Sequence, residues 1–180
     1  MSSTDDPADS QVDTDSLLER ARGGDQRAFE ALYRETCGGV HGLCLRLTAN
    51  RALAEECVQQ TYIQAWRNLS SFRGASSVST WLYRIAVNEV NAQYRRESRH
   101  ALDTDLDLAV APASDTGGIL DLERAVASLP DRARAVFVLV GVYGYPHEEA
   151  AALLDMAVGT SKAHYHHARQ ALKALLGDSA

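Results

Sequence analysis

The sequence predicts an all-α protein of two small helical domains joined by a flexible acidic linker. Three observations carry this. Apolar residues recur at the three- and four-residue spacing of a helix along most of the chain, and the alternation that marks strands is nearly absent. The periodic runs are bounded by residues that start or stop helices: Gly23-Gly24, Asp25, Asn50, Pro130 and Gly144-Tyr145-Pro146. One stretch, residues 100–118, breaks the pattern; it holds Asp103, Asp105, Asp107, Asp115, Pro112 and Gly117-Gly118 and no Lys or Arg, which is the composition of a tether. The expected plan is a disordered acidic tail over residues 1–13, a first domain over 14–99, the linker over 100–118 and a second domain over 119–177.

A short first helix is expected over residues 16–21, ended by Gly23-Gly24. Asp25 caps the second, whose apolar stripe runs Phe29, Leu32, Tyr33, Val40, Leu43, Cys44 and Leu47. Asn50 caps a third, with Leu53, Ala54, Val58, Tyr62, Ala65 and Leu69 on its inner face. A polar loop covers residues 70–77. A fourth helix starts near Ser79, turns Trp81, Leu82, Ile85 and Ala86 inward, and ends in Arg95, Arg96 and Arg99, where cations suit the helix dipole. These four form an N-terminal helical bundle. Past the linker, helix resumes at Ile119. Ser128-Leu129-Pro130-Asp131 reads as a stop and restart with Pro130 at the first helical position. Residues 136–142 read as a buried apolar helix. Pro146, Glu148 and Glu149 fall in a first turn, Ala150, Ala151, Leu153 and Leu154 face inward, a tight turn is expected at Asp155-Met156-Ala157, and a last helix covers residues 158–176.

Composition excludes several classes. The chain has 180 residues, 46% hydrophobic and 23% charged, a balance that supports packed cores. No run approaches the roughly 18 apolar residues that span a membrane. The tail carries Asp5, Asp6, Asp9 and Asp13 with no Lys or Arg, unlike a secretory signal, so a cytoplasmic location is expected. Cys37, Cys44 and Cys57 include no CxxC pair, which argues against a disulfide framework or a zinc site and suits buried thiols in a reducing compartment. No GxSxG, Walker loop or HExxH frame is present, so neither an enzyme nor a cofactor or metal site is expected. The net charge of −6 opposes broad nucleic-acid binding, yet the basic residues are local. Three Arg and no acid lie between residues 63 and 84, three Arg and one Glu between 94 and 99, and Lys162, Arg169 and Lys173 without an acid between 157 and 176.

Residues 147–176 have helix-turn-helix spacing: a short helix, a tight turn, a longer helix. The longer one opens on Gly159, Thr160, Ser161 and Lys162, small and hydroxyl residues that admit a helix end into a major groove and a cation for phosphate or guanine. The segment LPDRARAVFVLVGVYGYPHEEAAALLDMAVGTSKAHYHHARQAL resembles the promoter-binding domain of extracytoplasmic-function (ECF) sigma factors of RNA polymerase. The segments LLERARGGDQRAFEALYRE, LAEECVQQTYIQAWRNLSSFRG and VSTWLYRIAVNEVNAQYRR are similar to the N-terminal domain of the same sigma-70 family.

The resemblance implies a factor that binds core RNA polymerase and directs promoter-specific initiation under an anti-sigma factor, with promoter DNA as its ligand and no membrane insertion. It places polymerase contact on Glu55, Glu56, Gln59 and Gln60. It places minus-ten reading on Phe72, Arg73, Trp81, Tyr83, Arg84, Asn88 and Asn91, with Arg95 and Arg96 on phosphates. Extruding a base costs a few kcal/mol, recovered by stacking on aromatic and Arg groups; Trp81, however, lies on the apolar stripe with Ile85, which favours a core residue over a base wedge. Minus-thirty-five reading falls to Thr160, Ser161, Lys162, His164, Tyr165, His166 and Arg169. The chain departs from the family at Gln60, where an acid is usual, at Asp155, where Gly is usual, and at His164 and His167, near usual Arg positions. The last departure leaves a charge-poor recognition helix, and a weaker or differently regulated minus-thirty-five contact is expected. His164 and His167 share a face, but two ligands do not make a zinc site. Two alternatives remain: a DNA-binding regulator that works without polymerase, and a sigma-like adaptor or anti-sigma-binding protein with weak or lost promoter recognition.

Overall fold

The computed structural model describes residues 13–101 and 119–177, and every regular element within them is helical. The tail up to residue 12 and the linker from residue 102 lie outside the described residues. Helix α1 (Thr14–Arg22) is capped by Asp13, whose carboxylate accepts from the Asp15 and Ser16 amides. Helix α2 (Gln26–Thr48) is capped by Asp25 in the same way, and α3 (Arg51–Arg67) by Asn50, both as the sequence implies. A 3-10 turn (Leu69–Ser71) and a short loop lead to α4 (Val78–Ala101). Helix α4 therefore ends two residues past the boundary expected at 99.

The second half holds α5 (Ile119–Ala127), α6 (Asp131–Phe137), α7 (His147–Leu153) and α8 (Val158–Gly177). Pro130 and Pro146 are caps rather than first-turn residues, each with extended backbone just ahead of its helix. The apolar run expected as one buried helix divides: α6 ends at Phe137 and a π-helical turn (Val138–Val142) follows. Val138 and Leu139 are buried, while Val142 is 50% exposed. The wider turn swings the chain so that Tyr143 and Tyr145 pack against the rest of the molecule. Asp155 does take the left-handed backbone, at φ +52°, and closes the turn between α7 and α8.

Helices α1 to α4 share a core of Leu18, Leu32, Val40, Leu43, Leu47, Val78, Leu82 and Val87, all nearly solvent-free. The stripe along α2 buries Leu32, Val40, Leu43, Cys44 and Leu47 as expected, but leaves Tyr33 at 42% exposure. Cys44 and Cys57 are buried, and burial pushes the Cys44 thiol up to about 12, so it is an inert small hydrophobe. Cys37 is only half-buried. In the second half α6, α7 and α8 close around Ala133, Val136, Leu139, Ala150, Leu154, Ala168 and Leu172.

The two halves pack on each other through α2 and α4. Arg134 is 4% exposed and divides its N–H groups between acceptors on the two sides of the junction. It donates to Leu47 O (2.9 Å) and Thr48 O (3.2 Å) at the end of α2, to Ala127 O (3.2 Å) and Leu129 O (2.9 Å) at the end of α5, and to Tyr94 OH (3.0 Å) and the Asp131 carboxylate (2.6 Å). One cation thus caps the carbonyl ends of two helices from different halves, where the helix dipole favours positive charge.

Candidate functional site

Three surfaces gather the candidate residues. The first is a groove between α2 and α3, with a cavity volume near 1290 Å³. Its wall is aromatic: Phe29 meets Trp66 edge-on at 4.9 Å between centroids, and Tyr33 meets Tyr62 at 4.7 Å. The i, i+4 pairs Phe29/Tyr33 on α2 and Tyr62/Trp66 on α3 bring these rings together. Tyr62 donates to or accepts from Thr36 Oγ1 at 2.7 Å, and its burial raises its pKa far above the usual phenol value. Trp66 is 40% and Ile63 36% exposed. Glu55, Glu56 and Gln59 line the same groove and are exposed. Gln60 is half-buried and is absent from the groove wall. Glu56 also accepts from Gln93 Nε2 at 2.5 Å, which ties α3 to α4.

The second surface is α4 with the loop before it. Phe72 is 6% exposed and its ring packs against Trp81 at 5.4 Å, so the pair plugs the end of the bundle. This corrects the expectation that Phe72 is available to a base; Trp81 is half-buried, in line with its place on the apolar stripe. Arg73 and Asn88 are exposed, as are Arg95 and Arg96, the latter donating to Gln93 Oε1 at 3.0 Å. Tyr83 lies over Gly39 of α2, where a Cβ would come within 2.6 Å of its hydroxyl, so only glycine lets the ring settle there. Its other side meets Tyr143 edge-on at 5.5 Å. Arg84 is paired with Glu149 of α7 through Nη2 (2.7 Å) and Nε (3.1 Å). Asn91, 9% exposed, donates to Leu153 O at 2.5 Å.

The third surface is the outer side of α8. Thr160, Lys162, His166, His167 and Arg169 are exposed. Lys162, His166, Arg169 and Lys173 recur at i, i+4, i+7 and i+11 and form one stripe. Ser161 is fully buried and its hydroxyl meets His147 Nδ1 at 2.9 Å, so it joins α8 to α7 instead of facing DNA. Tyr165 is half-buried, stacked on Phe137 at 6.0 Å and edge-on to His147 at 5.4 Å, and His164 is half-buried beside it. The outward histidines are therefore His166, which the sequence reading includes, and His167, which it does not, while His164 and Tyr165 are half-buried. Among the described residues no group of His, Cys, Asp or Glu is placed to hold a metal ion.

This arrangement of a four-helix bundle and a helix-turn-helix unit is matched by known proteins. A family model described as Sigma-70 region 2 matches residues 32–100, and one described as Sigma-70, region 4 matches residues 119–172. The ECF RNA polymerase sigma-E factor of Salmonella typhimurium is 32% identical over 179 residues, covering 90% of this chain and 93% of its own. The chain belongs to the ECF RNA polymerase sigma factors. The family's EcfG from Rhodopseudomonas palustris is 34% identical over 142 residues, 76% of this chain and 78% of its own. Among solved structures, the sigma factor RpoE from Bartonella quintana, in complex with the anti-sigma factor NepR, matches at TM-score 0.63 and 29% identity, covering 83% of this chain and 96% of that one. CnrH in complex with the cytosolic domain of CnrY matches at TM-score 0.58 and 25% identity, over 93% and 99%. As a sigma factor, the chain serves core RNA polymerase in promoter-directed initiation. No described helix is long and apolar enough to cross a membrane.

Sequence reading missed Arg134, Glu149 and the groove residues Phe29, Tyr33 and Trp66 as functional groups. The facing aromatic pairs at i, i+4 were the signal for the groove. Nothing in the spacing around Arg134 or Glu149 announces a partner some 60 to 90 residues away in sequence.

Proposed function

We propose that the groove between α2 and α3 is the surface that takes core RNA polymerase, with Glu55, Glu56 and Gln59 as its polar rim and Gln60 as a supporting residue. The open aromatic wall carries this reading: large rings left against solvent beside acids suit a helical partner bearing apolar and basic side chains. Single-stranded minus-ten DNA is assigned to Arg73, Tyr83, Arg84, Asn88 and Asn91, with Arg95 and Arg96 on its phosphates and Trp81 and Phe72 as the platform beneath. The minus-thirty-five duplex is assigned to Thr160, Lys162, His166 and Arg169, and His167 joins them on grounds of exposure. Ser161, Tyr165 and His164 position that helix from within. The chain acts in the cytoplasm, has no catalytic centre of its own and needs no cofactor. An anti-sigma factor controls it, by likeness to the RpoE–NepR and CnrH–CnrY complexes.

Reconstitution with core polymerase, followed by sequencing of transcripts started on genomic DNA, tests the whole reading. Defined start sites that share two promoter elements are expected. Start sites no different from those of core polymerase alone overturn promoter direction in favour of an adaptor.

A further inference from the structure

Sequence reading gives Tyr165 to the DNA, yet the structure seats its ring against the rest of the second half. Three elements hold that ring. Phe137, at the end of α6, stacks on it at 6.0 Å with the planes 20° apart. His147, at the start of α7, meets it edge-on at 5.4 Å, and its own Nδ1 lies 2.9 Å from the hydroxyl of fully buried Ser161. The π-helical turn closes the seat at Gly141, where a Cβ would stand 3.3 Å from both Tyr165 Cε2 and Phe137 Cε2. Four positions further along α8, Arg169 lays its guanidinium over the ring, with Cζ 5.9 Å from the centroid. Arg169 is exposed, and among the described residues no carboxylate pairs with it.

We propose that Tyr165 is a positioning residue for Arg169: the seated ring holds the guanidinium in the orientation in which it meets the minus-thirty-five duplex. The proposal rests on the assignment of Arg169 to that duplex made above. The negative face of an aromatic ring attracts a cation, and a planar guanidinium also stacks on it as an ammonium does not. A free arginine has several rotatable bonds to freeze when it binds. One already held over a fixed ring has less freedom left to lose, so its contact with DNA is stronger for the same charge. Lys162 lies on the same outward stripe and is exposed, but no ring lies beneath it among the described residues. Of these two cations one is aimed and the other is not. Gly141 and His147 then act on DNA at two removes, through Tyr165 and Arg169.

The test titrates holoenzyme made with the full chain against a dye-labelled duplex, with a scrambled duplex as reference. The duplex carries the minus-thirty-five element of a start site mapped as above and stops short of the minus-ten element. Tyr165→Leu fills the seat without a ring and is expected to weaken binding roughly two- to five-fold, the value of an exposed cation–π pair. In an Arg169→Ala background the same change is expected to add no further loss, and in a Lys162→Ala background the full factor. Tyr165→Phe keeps the ring face and is expected to bind like the wild type. A loss on Tyr165→Leu that is equal with and without Arg169 overturns the proposal, since Tyr165 then serves only to hold the helix. A second measurement needs no substitution: nitrogen-15 relaxation in the unmodified chain is expected to show the Arg169 Nε–H more restricted than that of exposed Arg27, and equal mobility overturns the proposal. Failure of the DNA assignment itself shows separately, because Arg169→Ala alone would then bind the duplex like the wild type.

Discussion

The α2–α3 groove and the α4–α7 seam belong to one helical bundle and are finished in opposite ways. Along the groove, Tyr33 and Trp66 stay 42% and 40% exposed, and their rings pair with Tyr62 and Phe29 of the same wall. Along the seam, Arg84, Asn91 and Tyr83 are each matched by a group from the other half of the chain. An apolar surface left open gains from any partner that removes it from water. A polar surface already satisfied gains little from a second partner, because each new hydrogen bond replaces an existing one. The groove therefore recruits and the seam restrains. The predictions below break or sharpen that division, from the largest expected effect down.

Arg134 is the residue on which the restraint depends. It is buried and serves acceptors from both halves, so Arg134→Met takes a donor from the carbonyls of Thr48, Ala127 and Leu129 and leaves the Leu47 carbonyl with the Tyr94 hydroxyl alone. Removing one member of a buried charged network costs about 3 kcal/mol or more. Urea denaturation of the full chain is expected to show that loss, and Arg134→Lys is expected to recover only part of it, since an ammonium lacks the planar fork. A loss below about 1 kcal/mol would mean that the seam is held elsewhere.

Trp66→Ala and Tyr33→Ala probe the other side of the comparison. Their rings are half in solvent, so circular-dichroism melting is expected to move little. Affinity for core polymerase is expected to fall about 30-fold for Trp66→Ala, the effect of about 2 kcal/mol at an interface hot spot, and less for Tyr33→Ala. Unchanged polymerase affinity with both rings removed would take the groove out of recruitment.

The two regions were not equally legible in the sequence. The bundle was, because helical periodicity alone sets which of Leu32, Val40, Leu43 and Leu47 turn inward, and Asp25 and Asn50 mark their helix starts by a local hydrogen bond. The helix-turn-helix frame was legible for the same reason, down to the left-handed Asp155. The seam was not. Arg134 sits among alanines and valines, where a cation reads as a solvated turn of helix, and its six acceptors come from three separate stretches of chain. The recognition helix was legible only in outline. Rotation about its axis decides whether Ser161 or Lys162, and Tyr165 or His166, faces outward. Packing against His147 and Phe137 settles that rotation. The π-helical turn was hidden too, since one added residue per turn leaves no mark on an apolar run.

A smaller effect is expected on the outward side of α8, which is covered by neither device. Lys162→Ala and Arg169→Ala each remove one cation from the exposed stripe. Binding of the minus-thirty-five duplex by the holoenzyme is expected to weaken with little change in sequence preference. The slope of log affinity against log salt is expected to drop by about 1 for each variant. A change of preferred sequence with an unchanged salt slope would move that residue from phosphate to base.

The smallest effect lies at the foot of the groove. Asp25 holds the start of α2, four residues before Phe29, by accepting from the Arg27 and Ala28 amides and from Arg20 at 2.7 Å. The Arg20 hydrogen bond, followed by the Ala28 amide, holds its carboxyl below the usual 3.8. A carboxyl whose folded-state value lies below its unfolded one adds stability above the unfolded value and loses it as pH falls through the folded one. Asp25 thus contributes at neutral pH, and the contribution fades on acidification below about pH 4. Urea midpoints measured from pH 6 downward should show a shallower acid limb for Asp25→Asn than for the wild type. An acid limb unchanged in Asp25→Asn would show that this cap adds nothing to the hold on the groove's foot.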